Sequence, residues 1–394
     1  MSKIRQTAEF VYTLDTEPIR NGFVEYDDAD GRITAVGTCS CDESVSPGAL
    51  VPGFVNSHCH IELSHLHKKF RKGTGMAGFI DQINELRDWA GRDTKILLTR
   101  QWMDKMWEDG VSAMADISND DSSFEVKKNH PIYTRTFLEV FGSEPHMCEG
   151  VMSEVAQLQI LADEAGIDAA PTPHSCYTMS PSLLSASAAK GLESGYLSYH
   201  SQESQEEEDL LISGSGAMYD NRKRSGMSTP PVTGESSLKY FIDRLAAVKQ
   251  APYSEHILLV HNVCLKQSDI DALKKVMKNP FFAICPLSNL FIHNALPPVD
   301  LMRENRLDIA LGTDSLSSND DLDMMKELLC LRTNFPQVPM QELFTWASLN
   351  GARFLGKDFL LGSLTPGKRP GIVRVTDIDA EGFITENSRS KRII

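Results

Sequence analysis

Four histidines lie within ten residues near the start of the chain, in the stretch V-P-G-F-V-N-S-H-C-H-I-E-L-S-H-L-H. They are His58, His60, His65 and His67, and the whole chain contains 11 histidines. Imidazole nitrogens are common ligands for zinc and other transition metals. This density of histidines therefore indicates a metal site, and the spacing must decide which of the four would bind.

Strand geometry separates the first two histidines from the residue between them. Residues 51–60 form an apolar run that predicts a β-strand. Because alternate side chains of a strand point to opposite faces, His58 and His60 share a face and Cys59 is turned away from it. We therefore expect His58 and His60 to bind one metal ion together and Cys59 to pack against a layer of helices.

The polar residues after this strand are better candidates for contacting a substrate. His65 and His67 belong to the polar stretch H-L-H-K-K-F-R-K, which is typical of a loop at the mouth of a site. Glu62 lies on the face of His60 if the strand continues, and Ser64 is two residues further on. We therefore expect that a substrate contact here comes from Glu62, Ser64 or His65.

Other apolar runs along the chain also end in side chains able to bind a metal or move a proton. Their ends carry His174, His200 with Glu203, His261 and Asp314. A histidine at a strand end is commonly structural, but this number of them on one predicted face favours a functional site. Zinc prefers imidazole and carboxylate ligands and keeps a position open for water in catalytic sites. The set His58, His60, His200 and Asp314 fits that preference.

The elements that must position these residues alternate between strands and helices. Eight short apolar runs occur between helical patterns, at 51–60, 110–118, 132–142, 167–175, 196–203, 256–265, 281–289 and 307–315. Such alternation predicts βαβ units with a parallel sheet, and eight is the strand number of a (β/α)8 TIM barrel. The alternative is an open doubly wound sheet, but the G-x-G-x-x-G of a dinucleotide fold does not follow the first run. A second metal is less favoured, because the fourth run contains no lysine.

The two ends of the chain differ from this central pattern. N-G-F-V-E-Y and G-R-I-T-A-V-G are alternating runs around D-D-A-D-G, which predicts a hairpin. G-I-V-R-V-T-D and G-F-I-T near the C-terminus are similar. We therefore predict that residues 1–50 and 362–394 meet as one small β-sandwich domain, and that residues 51–361 form the barrel.

The segment from Ser204 to Ser236 interrupts the alternation. It contains S-Q-E-E-E-D, G-S-G, N-R-K-R-S-G and S-T-P-P-V-T-G, which predict a long connection without regular structure. Long connections of this kind are often functional. We expect a lid over the site, and the alternative is a mobile surface insertion.

Composition limits the class of partner. The net charge is -15 and no strongly basic tract occurs, which disfavours nucleic acid as a partner. An apolar run long enough for a signal peptide or a membrane span is also lacking, and the cysteines are scattered on apolar segments. We expect a cytoplasmic protein with reduced cysteines and a small-molecule substrate, and a homodimer is possible.

Taken together, the motifs resemble the amidohydrolase superfamily, a group of metal-dependent TIM-barrel hydrolases. P-G-F-V-N-S-H-C-H resembles its first-strand motif, and H-S-Q-E at 200–203 resembles the H-x-x-E of the aminohydrolase branch. H-N-V-C-L at 261–265, C-P-L-S-N at 285–289 and G-T-D-S at 312–315 complete the set. H-C-H-I-E-L-S-H followed by G-T-G-M-A-G-F-I is most similar to sequences grouped with aminofutalosine deaminases, and the branch also holds S-adenosylhomocysteine and guanine deaminases.

The resemblance implies a hydrolytic deaminase that needs one divalent metal ion, zinc or else iron. It implies an aminated heterocycle as substrate, with an adenosine-like nucleoside such as aminodeoxyfutalosine preferred. Asp314 would accept a proton from the attacking water, His261 would orient that water, and Glu203 would protonate a ring nitrogen. His174 would face the substrate, as would Tyr177, for which packing under the lid is the alternative.

Other functions remain open at this point. The same site could deaminate guanine or a smaller ring, open an amide or cyclic amide, or displace a halogen as a chlorohydrolase does. Glu203 favours deamination among these, because it supplies an acid for a ring nitrogen. A binding or scaffold protein without catalysis would be expected to lack members of the metal set, and every expected member is present.

Overall fold

The structure, a computed structural model, describes residues 2–394. The strands are β1 (Lys3–Val11), β2 (Ile19–Asp27), β3 (Ile33–Thr38), β4 (Ala49–Pro52), β5 (Phe54–Cys59), β6 (Val111–Ser118), β7 (Tyr133–Val140), β8 (Asp168–Pro173), β9 (Tyr196–Ser201), β10 (His256–His261), β11 (Phe281–Ile284), β12 (Asp308–Leu311), β13 (Ile372–Thr376) and β14 (Arg389–Arg392). The helices are α1 (Gly75–Leu86), α2 (Arg92–Glu108), α3 (Phe124–Asn129), α4 (Cys148–Ala165), α5 (Pro181–Ser194), α6 (Gln205–Ser213), α7 (Gly216–Arg224), α8 (Ser237–Ala246), α9 (Gln267–Val276), α10 (Pro286–His293), α11 (Val299–Glu304), α12 (Met324–Asn334), α13 (Met340–Ala347) and α14 (Leu349–Phe354). Short 3-10 helices cover Ile61–Leu66, Pro145–Met147 and Cys176–Thr178.

The strands β5 to β12 form the parallel centre of the molecule. They lie in two four-stranded sheets, ordered β5-β6-β7-β8 and β9-β10-β11-β12. All eight residues of β6 are buried, because parallel strands are covered on both faces. Each of the eight apolar runs contains one of these strands, so the predicted α/β alternation is confirmed.

The two sheets meet at two seams. At one seam the amide of His200 donates to the carbonyl of His174 over 2.9 Å. At the other, the amides of Thr313 and Asp314 both donate to the carbonyl of His58, over 3.1 and 3.0 Å. The first and last strands of the centre are therefore neighbours, as in folds of the TIM-barrel type, although neither seam is a continuous ladder.

Gly312 allows the second seam to close. A Cβ atom at this position would lie 2.9 Å from the backbone nitrogen and oxygen of His58. Real Cβ atoms do not approach backbone atoms so closely, so a larger residue would push the last strand away from the first. The glycine of G-T-D-S thus brings Asp314 beside the histidines of β5.

The strands at the two ends of the chain form one mixed sheet of order β14-β13-β4-β1-β2-β3. Strands from both ends of the chain therefore lie side by side in this sheet, and β2 and β3 form the predicted antiparallel hairpin. The prediction of a β-sandwich is not confirmed, because these strands belong to a single six-stranded sheet. The prediction of a strand at G-F-I-T is wrong, since the partner of β13 is the more polar β14.

The segment 204–236 is not without structure, and that prediction is corrected. Its first half forms α6 and α7, each of nine residues. The hydroxyl of Ser204 caps α6 by accepting from the amide of Glu207. The carboxylate of Glu206 accepts from the amides of Met76 and Ala77 at the start of α1. These bonds fasten the segment to α1.

Within residues 2–394, no helix is long and apolar enough to cross a membrane. The longest helix, α4, has 18 residues and contains four acidic side chains. Val155 and Ala162 are buried where α4 packs against β7, β8 and α5, whereas Ile160 and Leu161 are exposed.

Candidate active site

His58, His60 and Asp314 converge where the first strand meets the last. The Nε2 atoms of His58 and His60 lie 3.2 Å apart. Asp314 Oδ1 is 3.7 Å from His58 Nε2 and 3.5 Å from His60 Nε2. All three side chains are buried. The same-face placement of the two histidines, expected from strand alternation, is seen in the structure.

His200 completes this group from the end of β9. Its ring centroid lies 4.8 Å from that of His58 and 5.5 Å from that of His60. One ligand atom from each of the three histidines lies within 4.8 Å of the other two. Burial, and then the neighbouring His200, hold the pKa of His58 well below its usual range, so this imidazole is neutral and able to bind a cation.

This arrangement fits a divalent metal ion. Two ligands on one tetrahedral zinc lie roughly 3.3–3.5 Å apart, given metal–ligand bonds of about 2.0–2.2 Å. The spacings among His58, His60 and Asp314 are close to that range. Two neutral imidazole nitrogens facing each other at 3.2 Å lack an attractive contact unless a cation or a proton lies between them.

Asp314 is held so that one carboxylate oxygen faces the histidines. Its Oδ2 accepts from the hydroxyls of Ser288 at 2.6 Å and Ser318 at 2.8 Å. Burial alone would raise the pKa of Asp314, but His60 and His261 together with the Ser288 hydroxyl outweigh it and hold that pKa below its usual value. Asp314 is therefore ionised near neutral pH.

His261, at the end of β10, lies between the metal group and a second carboxylate. Its Nδ1 accepts from the Asn289 amide at 3.1 Å, so its Nε2 carries the proton in this network. That Nε2 lies 3.4 Å from Glu203 Oε1 and has no hydrogen-bond partner among residues 2–394. Burial lowers the pKa of His261 to about 4, which keeps the ring neutral. Asn289 therefore holds the orientation of this ring.

Glu203 is buried and directed into the same space. Its Oε2 accepts from the Tyr177 hydroxyl at 3.0 Å. Burial, followed by the charges of Asp314 and Glu207, raises the pKa of Glu203 well above its ordinary value. The carboxylate of Glu207 accepts from the amides of Gln202 and Glu203, which fixes the backbone that carries the Glu203 side chain.

Several residues of the site have left-handed backbone conformations. The φ angles are 72° at His261, 58° at Asp314 and 49° at Gln202. Such conformations cost free energy in residues other than glycine and cluster at functional sites. Here they turn His261, Asp314 and Glu203 out of their strands toward one another.

These side chains open into a cavity of about 230 Å³. Its inner wall includes His60, His200, Glu203 and Asp314, the groups described above. Its outer wall is apolar and comes mainly from α1 and the segment after α7, with Met76, Phe79, Ile80, Ile83, Phe141 and Met227. Asn221 and Arg222 of α7 also line it, so the segment 204–236 covers one side of the cavity.

Comparison with known proteins decides the family. The model of the amidohydrolase family matches residues 49–390. The chain belongs to this family. The resemblance read from the sequence motifs is confirmed, and the match covers the parallel centre and the C-terminal strands of this amidohydrolase.

Particular amidohydrolase relatives and structures are similar over most of the chain. An adenosine deaminase of Helicobacter pylori is 25% identical over 354 residues, which are 88% of this chain and 81% of that protein. The structure of Helicobacter pylori aminofutalosine deaminase in complex with methylthio-coformycin has a TM-score of 0.78 at 21% identity and covers 99% of this chain and 100% of that one. An adenosine deaminase from Xanthomonas campestris with bound zinc has a TM-score of 0.72 at 20% identity, covering 97% and 86%. At these identities the structural likeness shows the fold.

Glu62, Ser64 and His65 do not line the cavity of this amidohydrolase, and the expectation that they touch substrate is corrected. The carboxylate of Glu62 accepts from the amides of Asn119 and Asp120. Burial and the nearby Asp120 raise the pKa of Glu62 to about 8. The Ser64 hydroxyl donates to the Ile61 carbonyl, and the His65 ring bonds the carbonyls of Glu62 and Arg87. The strand ends at Cys59, and a buried 3-10 helix replaces the expected loop, so alternation no longer applies.

His174 and Tyr177 both line the cavity, in agreement with their assignment as groups that face substrate. The hydroxyl of Tyr177 is bonded to Glu203 and lies 3.9 Å from the Met76 sulfur. Tyr177 is therefore placed to orient Glu203, a role that the sequence analysis did not consider. His67 lies outside the metal group, with its ring bonded to the Asp320 carbonyl.

Glu139 also lines the cavity, although it is not among the site residues predicted from the sequence. It comes from the end of β7, in T-F-L-E-V-F-G, and its side chain is buried. A carboxylate within an otherwise apolar strand end is the sequence signal for it. The third apolar run therefore also delivers a polar group, because its strand ends at the same face as the others.

Proposed function

We propose that this amidohydrolase is a hydrolytic deaminase of an adenosine-like nucleoside, which it converts to a ring carbonyl with release of ammonia. The observation that carries the proposal is a pair of buried carboxylates on one cavity, with Asp314 beside His58 and His60 and with Glu203 3.4 Å from His261 Nε2. The pKa of Asp314 is lowered and that of Glu203 is raised. This divergence supports Asp314 as the base and Glu203 as the acid. The similarity to proteins named as adenosine and aminofutalosine deaminases supports the same reaction class.

Each side chain of the site has a separate role in this reaction. A divalent ion held by His58, His60, His200 and Asp314 would supply activation of water for attack near neutral pH. Asp314, whose carboxylate is held by the hydroxyls of Ser288 and Ser318, accepts a proton from the attacking water and passes it to the amino group, which leaves as ammonia. The Nε2–H of His261 orients the water, and protonated Glu203 donates to the ring nitrogen next to the attacked carbon.

We propose zinc as the ion, with Fe²⁺ as the alternative. Three imidazoles and one carboxylate suit zinc, and a similar adenosine deaminase structure contains bound zinc. Measurement of the metal content of protein purified from zinc-supplemented and iron-supplemented medium, with activity assayed for each, tests this choice.

The reaction is tested by ammonia release from a panel of adenosine, 5'-deoxyadenosine, S-adenosylhomocysteine, aminodeoxyfutalosine and guanine. We expect the adenosine-like nucleosides to be turned over with kcat/KM of about 10⁴ M⁻¹s⁻¹ or more for the best substrate. Guanine should be slower by at least tenfold. Absence of ammonia from every nucleoside, with hydrolysis of a chlorinated or cyclic amide ring instead, would replace deamination by the related hydrolysis.

Tyr177→Phe is expected to lower kcat about tenfold and to change KM by less than about twofold, because it removes one hydrogen bond to an ionisable group. The Tyr177 hydroxyl also lowers the pKa of Glu203, so its loss should move the alkaline limb of the pH–kcat profile to higher pH. A pH profile of kcat and KM measures both effects. A large rise in KM with an unmoved alkaline limb would instead make Tyr177 a substrate-binding residue.

A further inference from the structure

Glu139 presents an unused acceptor to the cavity. Its Oε2 accepts from the Asn119 amide at 2.9 Å. Its Oε1 is buried and has no hydrogen-bond partner among the described residues 2–394. A buried acceptor without a donor costs free energy and is uncommon in native proteins. The position of Glu139 in the cavity wall indicates that a ligand supplies the missing donor.

His174 offers a matching donor beside this acceptor. Its Nε2 lies 3.7 Å from Glu139 Oε1, and both residues line the cavity. Its Nδ1 lies 2.7 Å from the Ser175 hydroxyl and 2.8 Å from the Thr178 hydroxyl. These hydroxyls can donate to Nδ1, and we assign the proton of the ring to Nε2 on that basis.

Glu139 therefore supplies a carboxylate acceptor and His174 supplies an imidazole N–H donor. Two adjacent hydroxyl groups can bridge Glu139 Oε1 and His174 Nε2, which lie 3.7 Å apart. One hydroxyl donates to Glu139, and its neighbour accepts from His174. Carboxylates are the usual acceptors for ribose hydroxyls in nucleotide sites. An ammonium group could also donate to Glu139. It has no acceptor for the N–H of His174, so two donors would face each other.

We propose that Glu139 and His174 form a subsite for the vicinal diol of the substrate's sugar, and that Glu139 makes the enzyme select nucleosides over free bases and deoxy analogues. This inference rests on the proposed nucleoside deaminase function and assigns its specificity to named residues. The apolar outer wall of the cavity leaves room beyond the sugar for an apolar 5' substituent.

A different role for Glu139 must be separated from this one. His200 Nδ1 lies 3.9 Å from Glu139 Oε1, which is beyond hydrogen-bond range in this structure. If Glu139 moved to accept from His200, it would orient a metal ligand and would affect every substrate equally. A diol subsite affects only ligands that carry the diol.

The test is calorimetric binding of inosine and 2',3'-dideoxyinosine to the zinc-loaded protein, its Glu139→Met and Glu139→Gln variants, and a Glu154→Gln control. Glu154 is an exposed carboxylate on α4. We expect the wild type and the control to bind inosine about 100-fold more tightly than the dideoxy analogue, because a site built for a hydroxyl discriminates strongly against its loss. In Glu139→Met the ratio should fall below about threefold through weaker inosine binding, with the bound zinc retained.

Glu139→Gln keeps the shape of the side chain, so it serves as a second variant if Glu139→Met misfolds. It should also lower the ratio of the inosine affinity to the dideoxyinosine affinity by at least about tenfold. Equal binding of both ligands to the wild type overturns the proposal. Loss of zinc together with an equal loss of affinity for both ligands also overturns it, in favour of a role in orienting His200. If neither ligand binds, the subsite is overturned, whereas ammonia release from an aminated ring would leave the proposed reaction standing.

Discussion

Glu203→Gln is expected to lower kcat for deamination by about 10²- to 10⁴-fold while the metal content stays at the wild-type level. The amide keeps the size of the side chain but cannot donate an acidic proton, and general acid catalysis contributes an effect of that size. Glu203 is not among the proposed metal ligands, and its contacts in the site are the Tyr177 hydroxyl at 3.0 Å and His261 Nε2 at 3.4 Å. Steady-state kinetics and metal analysis of the same preparation measure the two quantities.

The pH dependence gives a second readout for Glu203. Burial raises the pKa of Glu203 well above its ordinary value, which favours the protonated carboxyl, and wild-type kcat should fall as pH rises through that raised pKa. This alkaline limb should be missing from the residual activity of Glu203→Gln. Glu193→Gln on the surface of α5 is the control and should match the wild type. Near-normal turnover by Glu203→Gln would remove Glu203 from the mechanism.

His58→Ala is expected to lose stoichiometric metal and, with it, more than about 10³-fold of the activity. His58 is fully buried, and its Nε2 faces both His60 and Asp314. Removal of one of four ligands leaves an incomplete coordination shell, and zinc sites in proteins depend on their full ligand set. Metal analysis after dialysis against a weak chelator measures the loss.

The same histidine cluster offers a matched control. His67→Ala removes an imidazole nine residues along the chain whose ring is bonded to the Asp320 carbonyl, outside the metal group. It should keep the metal and most of the activity. Retention of one equivalent of metal by His58→Ala, or its loss from His67→Ala, would contradict the ligand assignment.

Much of the parallel centre could be predicted from the sequence because strand period and strand ends are local properties. Strand alternation alone places His58 and His60 on one face of the strand and Cys59 on the other. Each strand of the centre also lies inside a predicted apolar run. The convergence of His200, His261 and Asp314 followed from the rule that parallel strands end at one face. These inferences needed no knowledge of contacts between distant residues.

The remaining features depend on tertiary contacts that the sequence does not display. Glu62 lies where the chain leaves β5 for a 3-10 helix, and its carboxylate serves two amides of a different loop. The helices α6 and α7 are short, highly charged and separated by Gly214 and Ser215, so their pattern resembles a loop. Their attachment to α1 through Glu206 is a tertiary contact. Glu139 Oε1 lacks a hydrogen-bond donor among its neighbours, and this depends on which side chains the fold places around it.

The seam at His58 has a consequence for how the protein acquires its metal. The carbonyl of His58 joins the first strand of the centre to Thr313 and Asp314 after the last one, so ligands from both ends of the polypeptide are brought together at one point. A nascent chain lacks a complete site until nearly all of the centre has been synthesised and closed. Ion uptake is then a late event in folding. By mass action, a bound ion acts as a reversible cross-link that opposes separation of the first and last strands of the centre.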